Sequence, residues 1–464
     1  MKRALTVIAV MAVLLVGAPW VIGNVAEQRV NRGLDAVLVA APYLEIVDRK
    51  YTQGWFRSEM DATFAVRGPV SRALSPASIF IDRSAAVGAP PDSSAPARFT
   101  VHSEILHGPV LGLSGLGLAR VNWHLVLDEK IRTQLVNFFG TDEPVQVSTR
   151  IGFLADGTTS IVADGRVIRR KDGTGSVSWD PLEIDLEHSG SLDKFALYGD
   201  WDRFEARDDR AKYRVVMRDM KLKGFSERVI GKVYDTDADF SIGEISYVGP
   251  DQAVTGANDV RYAVETQVDG DFASLATKFG SGPIDSPLIA ARGLELQATH
   301  YDVTVRHLHV PTLAKLLAAI DASYLGDASA GLASVSDQGL QILRHDPEFV
   351  VDRIGIETQD GAAVLKGVVR LKGVTPKDLQ MGGLSLIPRL DAELRFETPR
   401  KLVDKIEGGA AALAGALQAG YVEAQGDKLV SRVEFHDGEL QINGNIQDIP
   451  GLGAPANDAG AGPE

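Results

Sequence analysis

Two histidine motifs are where this chain could do chemistry. His107-Gly108-Pro109 places an imidazole, the commonest general base near neutral pH, before a glycine that lets the backbone turn. A base needs a nucleophile or an acid to work with, and no serine, acid or second histidine stands at a recognised spacing from it. A strand ending in a Gly-Pro turn accounts for the same residues. His307-Leu308-His309 would set two imidazoles on one face of a strand, as a metal pair requires. His300 is too vaguely placed to complete a site that needs three or four ligands, so the expectation is a pair of exposed strand histidines.

The run Gly112-Leu113-Ser114-Gly115-Leu116-Gly117 fits neither a nucleophile elbow, which needs glycine at 116, nor a dinucleotide loop, which needs one at 120. No P-loop, His-Glu-x-x-His or EF-hand pattern is present. Nothing in the sequence nominates catalytic, cofactor-binding or metal-ligating residues, and the expectation is a protein that is not an enzyme and holds no cofactor.

The opening of the chain points to the envelope. Lys2 and Arg3 precede an apolar run, Ala4 to Gly23, with no charged residue in it. That is about the ~20 residues that cross a ~30 Å hydrocarbon core. Positive charge before it and Glu27, Arg29 and Asp35 after it put residues 1–3 in the cytoplasm and the remainder outside. A cleaved secretory signal would end at Ala18, but Pro19 fits a protease site badly just after the scissile bond. The reading is a single-pass anchor in the bacterial inner membrane with the C-terminal bulk in the periplasm. Lipoprotein anchoring is excluded because there is no cysteine to acylate.

Zero cysteines also remove disulfides, thiol nucleophiles and thiolate metal sites, so burial alone must hold the fold. A net charge of −14 repels phosphate backbones and argues against nucleic acid as a partner. At 464 residues the chain is long enough for two lobes.

The elements expected are mostly strands. Residues 24–43 read as a juxtamembrane helix, with Pro42 interrupting it. From Ser58 to Val66 the even positions Met60, Ala62, Phe64 and Val66 alternate with Glu59, Asp61 and Thr63, which marks a half-buried strand. Similar stretches recur at Phe99 to Ile105, Ala119 to Leu127, Val145 to Phe153, Ser176 to Ile184 and Tyr213 to Leu222. Asp-Gly pairs at 156–157, 164–165 and 172–173 read as hairpin turns.

A turn at Asp437-Gly438 pairs Phe435 with Leu440 and Val433 with Ile442, all on one face; a turn at Asp360-Gly361 pairs Ile356 with Leu365. Helices are expected at Pro311 to Tyr324, and from a Thr398-Pro399 start to about Ala419 with Gly420 as its stop. Ser84 to Ala97 reads as a loop and the tail after Pro450 as disordered. The fold class is therefore α+β, predominantly antiparallel: a transmembrane helix, then large amphipathic sheets with a few packing helices. The lobes would cover 44–250 and 251–449, with 450–464 as the tail.

Several motifs carry a resemblance. Tyr51-Thr52-Gln53-Gly54-Trp55-Phe56-Arg57-Ser58 after an anchor, His107-Gly108-Pro109 at a strand end, and Gly420-Tyr421 with a closing hairpin that ends in Asn443-Gly444 together resemble the YdgA-like bacterial family, whose function is unknown. The resemblance spans residues 1 to 449 in scattered motifs and implies a membrane-anchored periplasmic protein. It brings no catalytic residues. The bottom-up account of Gly54-Trp55-Phe56 is structural: a glycine at φ > 0 in a turn, and two rings anchoring the first strand to the core.

Three functional classes follow. An amphipathic sheet with an incompletely covered apolar face would hold lipid or another apolar ligand. Alternatively, the chain is a structural or partner-binding protein that self-associates through strand edges into a homo-oligomer. Third comes a hydrolase with a dispersed site, which His107 lying beside a serine or two carboxylates would favour. The bilayer itself is the one partner common to all three.

Overall fold

The computed structural model describes residues 22–39, 41–67, 97–111, 115–154, 156–170, 172–325, 328–381 and 383–447. Residues 4–21 of the expected anchor, residues 84–96 of the expected loop, residues 112–114 of the glycine-rich run and the tail from 450 lie outside these. Among the described residues no helix is long and apolar enough to cross a membrane. The chain divides into two units, Met1–Gly243 with Ala314–Asp337, and Glu244–Leu313 with Gln338–Glu464.

The first unit opens with helix α1, residues 22–39, which ends before the break at Pro42 as expected. Its strands are β1 (Leu44–Thr52), β2 (Arg57–Val66), β3 (Ala97–His107), β4 (Ala119–Val126), β5 (Gln146–Ile151), β6 (Gly157–Ala163), β7 (Arg166–Arg169), β8 (Gly175–Trp179), β9 (Leu182–His188), β10 (Lys194–Asp208), β11 (Tyr213–Ile230) and the first part of β12 (Val233–Val248). All pairings are antiparallel, in the order β1-β2-β3-β4-β5-β6-β9-β10-β11. The β7–β8 hairpin lies against the second half of β10.

The expected strand over 176–184 is two strands because Pro181 has no N–H to give the ladder. β8 and β9 each pair with β10 on either side of that break. Of the three Asp-Gly pairs, Asp172-Gly173 turns the β7–β8 hairpin and Asp156-Gly157 closes the loop between β5 and β6. Asp164-Gly165 makes no hairpin, since β6 pairs with β9 rather than β7.

Alternation builds the core. Met60, Ala62, Phe64 and Val66 are buried, and the paired rows carry Ile105, Val121 and Ile151 onto the same side. Ala26, Val30 and Leu34, one turn apart on α1, pack on that face. Full burial of each of these larger side chains contributes about 1.5–3 kcal/mol. The mixed charges of 202–223 form ion pairs on the strands, with Glu205 held between Arg203 and Arg214.

A helix that the periodicity reading overlooked, α2 (Glu129–Phe139), also belongs here. Its signals were local: the Asp128 carboxylate accepts from Ile131 N–H at 2.8 Å, and Gly140 stops it in the left-handed region at φ 72°.

The second unit contains β13 (Val254–Asp269), β14 (Phe272–Ser281), β15 (Ile284–Asp285), α3 (Pro287–Ala290) and β16 (Leu296–His309). The helices α4 (Val310–Leu325) and α5 (Ala328–Ile342) come next in the chain, their stretch Ala314–Asp337 belonging to the first unit. The second unit resumes with β17 (Glu348–Thr358), β18 (Gly361–Leu371), α6 (Pro376–Met381), β19 (Leu390–Pro399), α7 (Arg400–Asp404) and α8 (Gly409–Gln418). Short strands β20 (Glu423–Gln425), β21 (Lys428–His436), β22 (Glu439–Ile442) and β23 (Asn445–Gln447) close it. The ladder runs β13-β14-β16-β17-β18-β19-β21-β22-β23, again antiparallel.

The turn at Asp437-Gly438 places Phe435 opposite Leu440 and Val433 opposite Ile442, as the pattern requires. The other hairpin turns one step earlier, at Gln359-Asp360, so Ile354 rather than Ile356 faces Leu365. The Thr358 hydroxyl fixes that turn, accepting from Asp360 N–H at 3.2 Å and donating to the Gly361 carbonyl at 2.9 Å. A two-residue displacement keeps the same face inward.

The helix expected from Thr398 to Ala419 is two pieces, α7 and α8, with Gly408 in the left-handed region between them. Pro399 is still extended and precedes α7. The Gly420 stop is present, with Tyr421 N–H donating back to the Ala416 carbonyl at 2.9 Å.

Candidate functional site

Most of the sequence signature converges at one end of the first unit. Tyr51 closes β1, Ser58 opens β2 and His107 ends β3, so the register alone brings them together. Ser58 Oγ lies 3.0 Å from His107 Nε2, a serine beside a histidine that no sequence spacing suggested. The Gly54 N–H donates to the Ser58 hydroxyl at 3.3 Å, and the His107 N–H donates to the Phe56 carbonyl at 3.0 Å.

Burial raises the Tyr51 phenol above its usual range. A hydrogen bond with Ser58 opposes that rise, and the Glu27 charge adds to it. Gly54 does not take φ > 0; it is glycine because a Cβ there would stand 2.1 Å from the Arg57 carbonyl oxygen. At Gly23 on α1, a Cβ would come within 2.8 Å of the His107 ring. The first turn of α1 therefore seats directly on this cluster.

The aromatic pair behaves otherwise than expected. Trp55 and Phe56 do not anchor the strand in the core: both rings are exposed, because the Gly54 turn lifts them off the end of the sheet. Gly108 carries φ 136° at the end of β3, and Pro109 follows it. Asn443 and Gly444 are far off in sequence and role. They form the two-residue turn between β22 and β23, both at positive φ, and Asn443 Nδ2 donates to the Gly420 carbonyl at 2.9 Å. That bond joins the two halves of the C-terminal motif.

Ser58 is 1% exposed and His107 2%. A substrate cannot reach either without displacing the start of α1. Next to this cluster lies a cleft of about 410 Å³ between α1 and the sheet, in the range of small-ligand sites, ~300–1,000 Å³. Val30, Leu34 and Val37 form one wall, and Phe64, Val101 and Trp123 form the other. It runs on to Asp156, Gly157 and Leu192 at the strand ends. Gly33 lines it, and beyond the adjacent residues and the helix's own backbone no atom lies within 4 Å of where its Cβ would be. Arg29 and Arg32 stand at its rim, and neither forms an ion pair among the described residues. A second cleft of about 830 Å³ under α2 shares Val101, Trp123 and Val147 with it.

The profile of a bacterial protein family of unknown function, DUF945, matches residues 1–449. The chain belongs to that family. Among the curated proteins and the solved structures, nothing matches it. DUF945 membership carries no activity, so the chemistry must be read from the residues.

The DUF945 chain forms no metal pair at His307-Leu308-His309. His307 sits at φ 62°, which turns it out of the strand alternation and onto the Phe272 ring at 4.1 Å. His309 stacks instead on His345 at 3.9 Å and meets the Thr312 hydroxyl through Nδ1 at 2.8 Å. His300 pairs with Glu357, and no group of three or more metal-ligating side chains occurs among the described residues.

Desolvation, then the charges of His309 and Arg344, hold the His345 imidazole below its ordinary 6.5; Asp346 acts the other way and His307 adds to the lowering. A base depressed in the fold is protonated more readily when unfolded. Its stability contribution is whole above about pH 6.5 and declines as pH falls through that value toward the folded pKa. The effect is modest because the ring is largely solvated. Replacing His345 by Phe should keep the stack and flatten the fall in urea midpoint between about pH 7 and pH 5. An unaltered slope in that variant would show that the stacked pair is not its source.

Sequence reasoning could not place the cleft because its lining comes from eight segments, each with ordinary amphipathic composition. The one local hint was Gly33, a glycine inside an otherwise regular helix.

Proposed function

We propose that this protein is a non-enzymatic member of the bacterial envelope, anchored in the inner membrane by residues 4–23 with its body on the periplasmic side, and that it holds an acyl chain in the cleft beneath α1. The observation that carries the reading is that apolar cleft, walled by Val30, Leu34, Phe64, Val101 and Trp123 and open at its rim. Each CH₂ buried there contributes about 0.8 kcal/mol, so a chain of modest length is retained through purification. The two rim arginines on a protein of net charge −14 favour an anionic head group, a carboxylate or a phosphate. Within the DUF945 family, the Tyr51 to Ser58 run and the His107-Gly108-Pro109 strand end support a YdgA-like grouping.

Mass spectrometry of the full chain purified in lipid nanodiscs, after washing and exchange into lipid with isotope-labelled chains, tests the reading. Unlabelled lipid should stay with the protein. Complete exchange at the rate of bulk lipid would sink it.

One observation favours a second reading, a hydrolase: the 3.0 Å contact between Ser58 and His107. A serine nucleophile needs access and an oriented base. Here the hydroxyl already accepts the Gly54 N–H, and Gly23 covers the imidazole. We read the pair as a latch between the signature loop and α1. A fluorophosphonate probe should leave Ser58 unlabelled; labelling that is lost in Ser58→Ala would install the hydrolase.

A further inference from the structure

The loops at the signature end of the first unit carry exposed apolar side chains. β2 begins at Arg57 opposite Leu106; β3 ends at His107 opposite Ala119, where β4 begins; Ala119 pairs with Ile151, where β5 ends; and Ile151 pairs with Gly157, where β6 begins. The loops after β1, β3 and β5, described at residues 53–56, at 108–111 with 115–118, and at 152–154 with 156, therefore leave the sheet at the same end and side by side. Backbone bonds lace them together, His107 N–H to the Phe56 carbonyl at 3.0 Å, Gly108 N–H to the Leu118 carbonyl at 3.4 Å and Leu118 N–H to the Ile151 carbonyl at 2.9 Å.

Their tips hold Trp55 at 49% exposure, Phe56 at 58%, Val110 at 65%, Leu116 at 62%, Phe153 at 56% and Leu154 at 92%. Single exposed hydrophobic residues are ordinary on a protein surface; six on three adjoining loops are not.

Gly23, the last residue of the apolar run, is packed against His107 and Gln53 at this same end. Residue 22, where the described chain begins, therefore lies at this end of the sheet, beside the exposed loops. We infer that these loop tips rest in the surface of the bilayer that the preceding run enters, with Trp55 at head-group depth and Leu154 among the acyl chains. Tryptophan is enriched at that interface because its ring is apolar and its N–H is not.

The proposal rests on the anchored, periplasmic reading and gives it an orientation. The cleft reaches this end of the sheet at Asp156 and Gly157, beside Phe153 and Leu154. A body seated on these loops has that end of its cleft at the lipid surface, where an acyl chain can pass into it without crossing water.

The absence of cysteine from the chain makes the test direct. Trp55→Cys, Leu116→Cys and Leu154→Cys in the full-length protein are spin-labelled and reconstituted into vesicles of phosphatidylethanolamine and phosphatidylglycerol. Val126→Cys, at the other end of β4 and about 23 Å away at ~3.3 Å per residue, is the reference. Labels at 55, 116 and 154 should lose collisions with a water-soluble nickel chelate and gain them with oxygen, while the label at 126 stays water-exposed.

Water-like collisions at all three tips would overturn the docking surface. So would spin–spin broadening between copies without a change in oxygen access, which would mean a second chain covers the patch. An alkaline phosphatase fused after Gln447 separates the failures. If it stays inactive, its disulfides unformed in the reducing cytosol, the anchored reading falls and this surface with it; if it is active in the periplasm while the tips stay wet, only the surface falls.

Discussion

Replacing Gly33 with phenylalanine should empty the cleft beneath α1 and leave the chain folded. Beyond the adjacent residues and the helix's own backbone, no atom lies within 4 Å of a Cβ built at Gly33, so a side chain there meets no packed neighbour at its first carbon. Glycine costs a helix interior about 1 kcal/mol relative to alanine, and phenylalanine roughly half of that, so α1 gains a few tenths. The ring occupies volume between Val30, Phe64 and Trp123 that an acyl chain would otherwise fill. Excluding even two methylenes removes about 1.6 kcal/mol of burial, which is more than tenfold in affinity. Retained lipid, and binding of an environment-sensitive fatty acid, should both fall by at least that factor. Unchanged retention in a folded Gly33→Phe protein would place the ligand elsewhere or remove it altogether.

The second large effect belongs to His107. Its imidazole fills the space between Ser58 and Gly23 and is 2% exposed, so His107→Ala leaves a cavity and takes away the Ser58 hydroxyl's ring partner. Lost packing and an under-satisfied buried hydroxyl together cost about 2–4 kcal/mol. Ser58→Ala removes a smaller group and costs about 1 kcal/mol.

Because both changes break the same bond, the double variant should cost less than the two together, with a coupling of about 1 kcal/mol. Amide exchange at the starts of β2 and α1 reads this locally, which avoids assuming that the two units unfold as one. Additive costs would mean that the 3.0 Å contact contributes nothing and that the signature is conformational only. Ser58→Ala should leave lipid retention intact, since Ser58 does not line the cleft.

Strand content and register were legible wherever one face is wet. Met60, Ala62, Phe64 and Val66 alternate with charged neighbours, and the fold buries them. The Asp437-Gly438 hairpin has its expected pairs because the two-residue turn sets the register, and a slip of one would put Phe435, Leu440, Val433 and Ile442 on the wet face. The Asp360-Gly361 hairpin slipped by two residues for a reason that no hydrophobic pattern encodes. The Thr358 hydroxyl captures the turn, and a displacement of two leaves the apolar face unchanged. Helix α2 was signalled by its caps and hidden by its low overall hydrophobicity, with Leu135 its only buried residue.

The amino-acid order by itself determined the predominantly antiparallel sheet, the helix after residue 22, the closing turns and the motifs that mark the family, because each depends on neighbours a few positions apart. Tertiary structure alone decided that Ser58 meets His107 across 49 residues, that His309 stacks on His345 rather than pairing with His307, and that Trp55 and Phe56 point away from the core. It also decided that α1 stands off the sheet far enough to leave a cleft. These outcomes depend on which strand ends share an edge and how closely a helix can approach, and a one-dimensional pattern of polar and apolar residues carries no distance between segments that are remote along the chain.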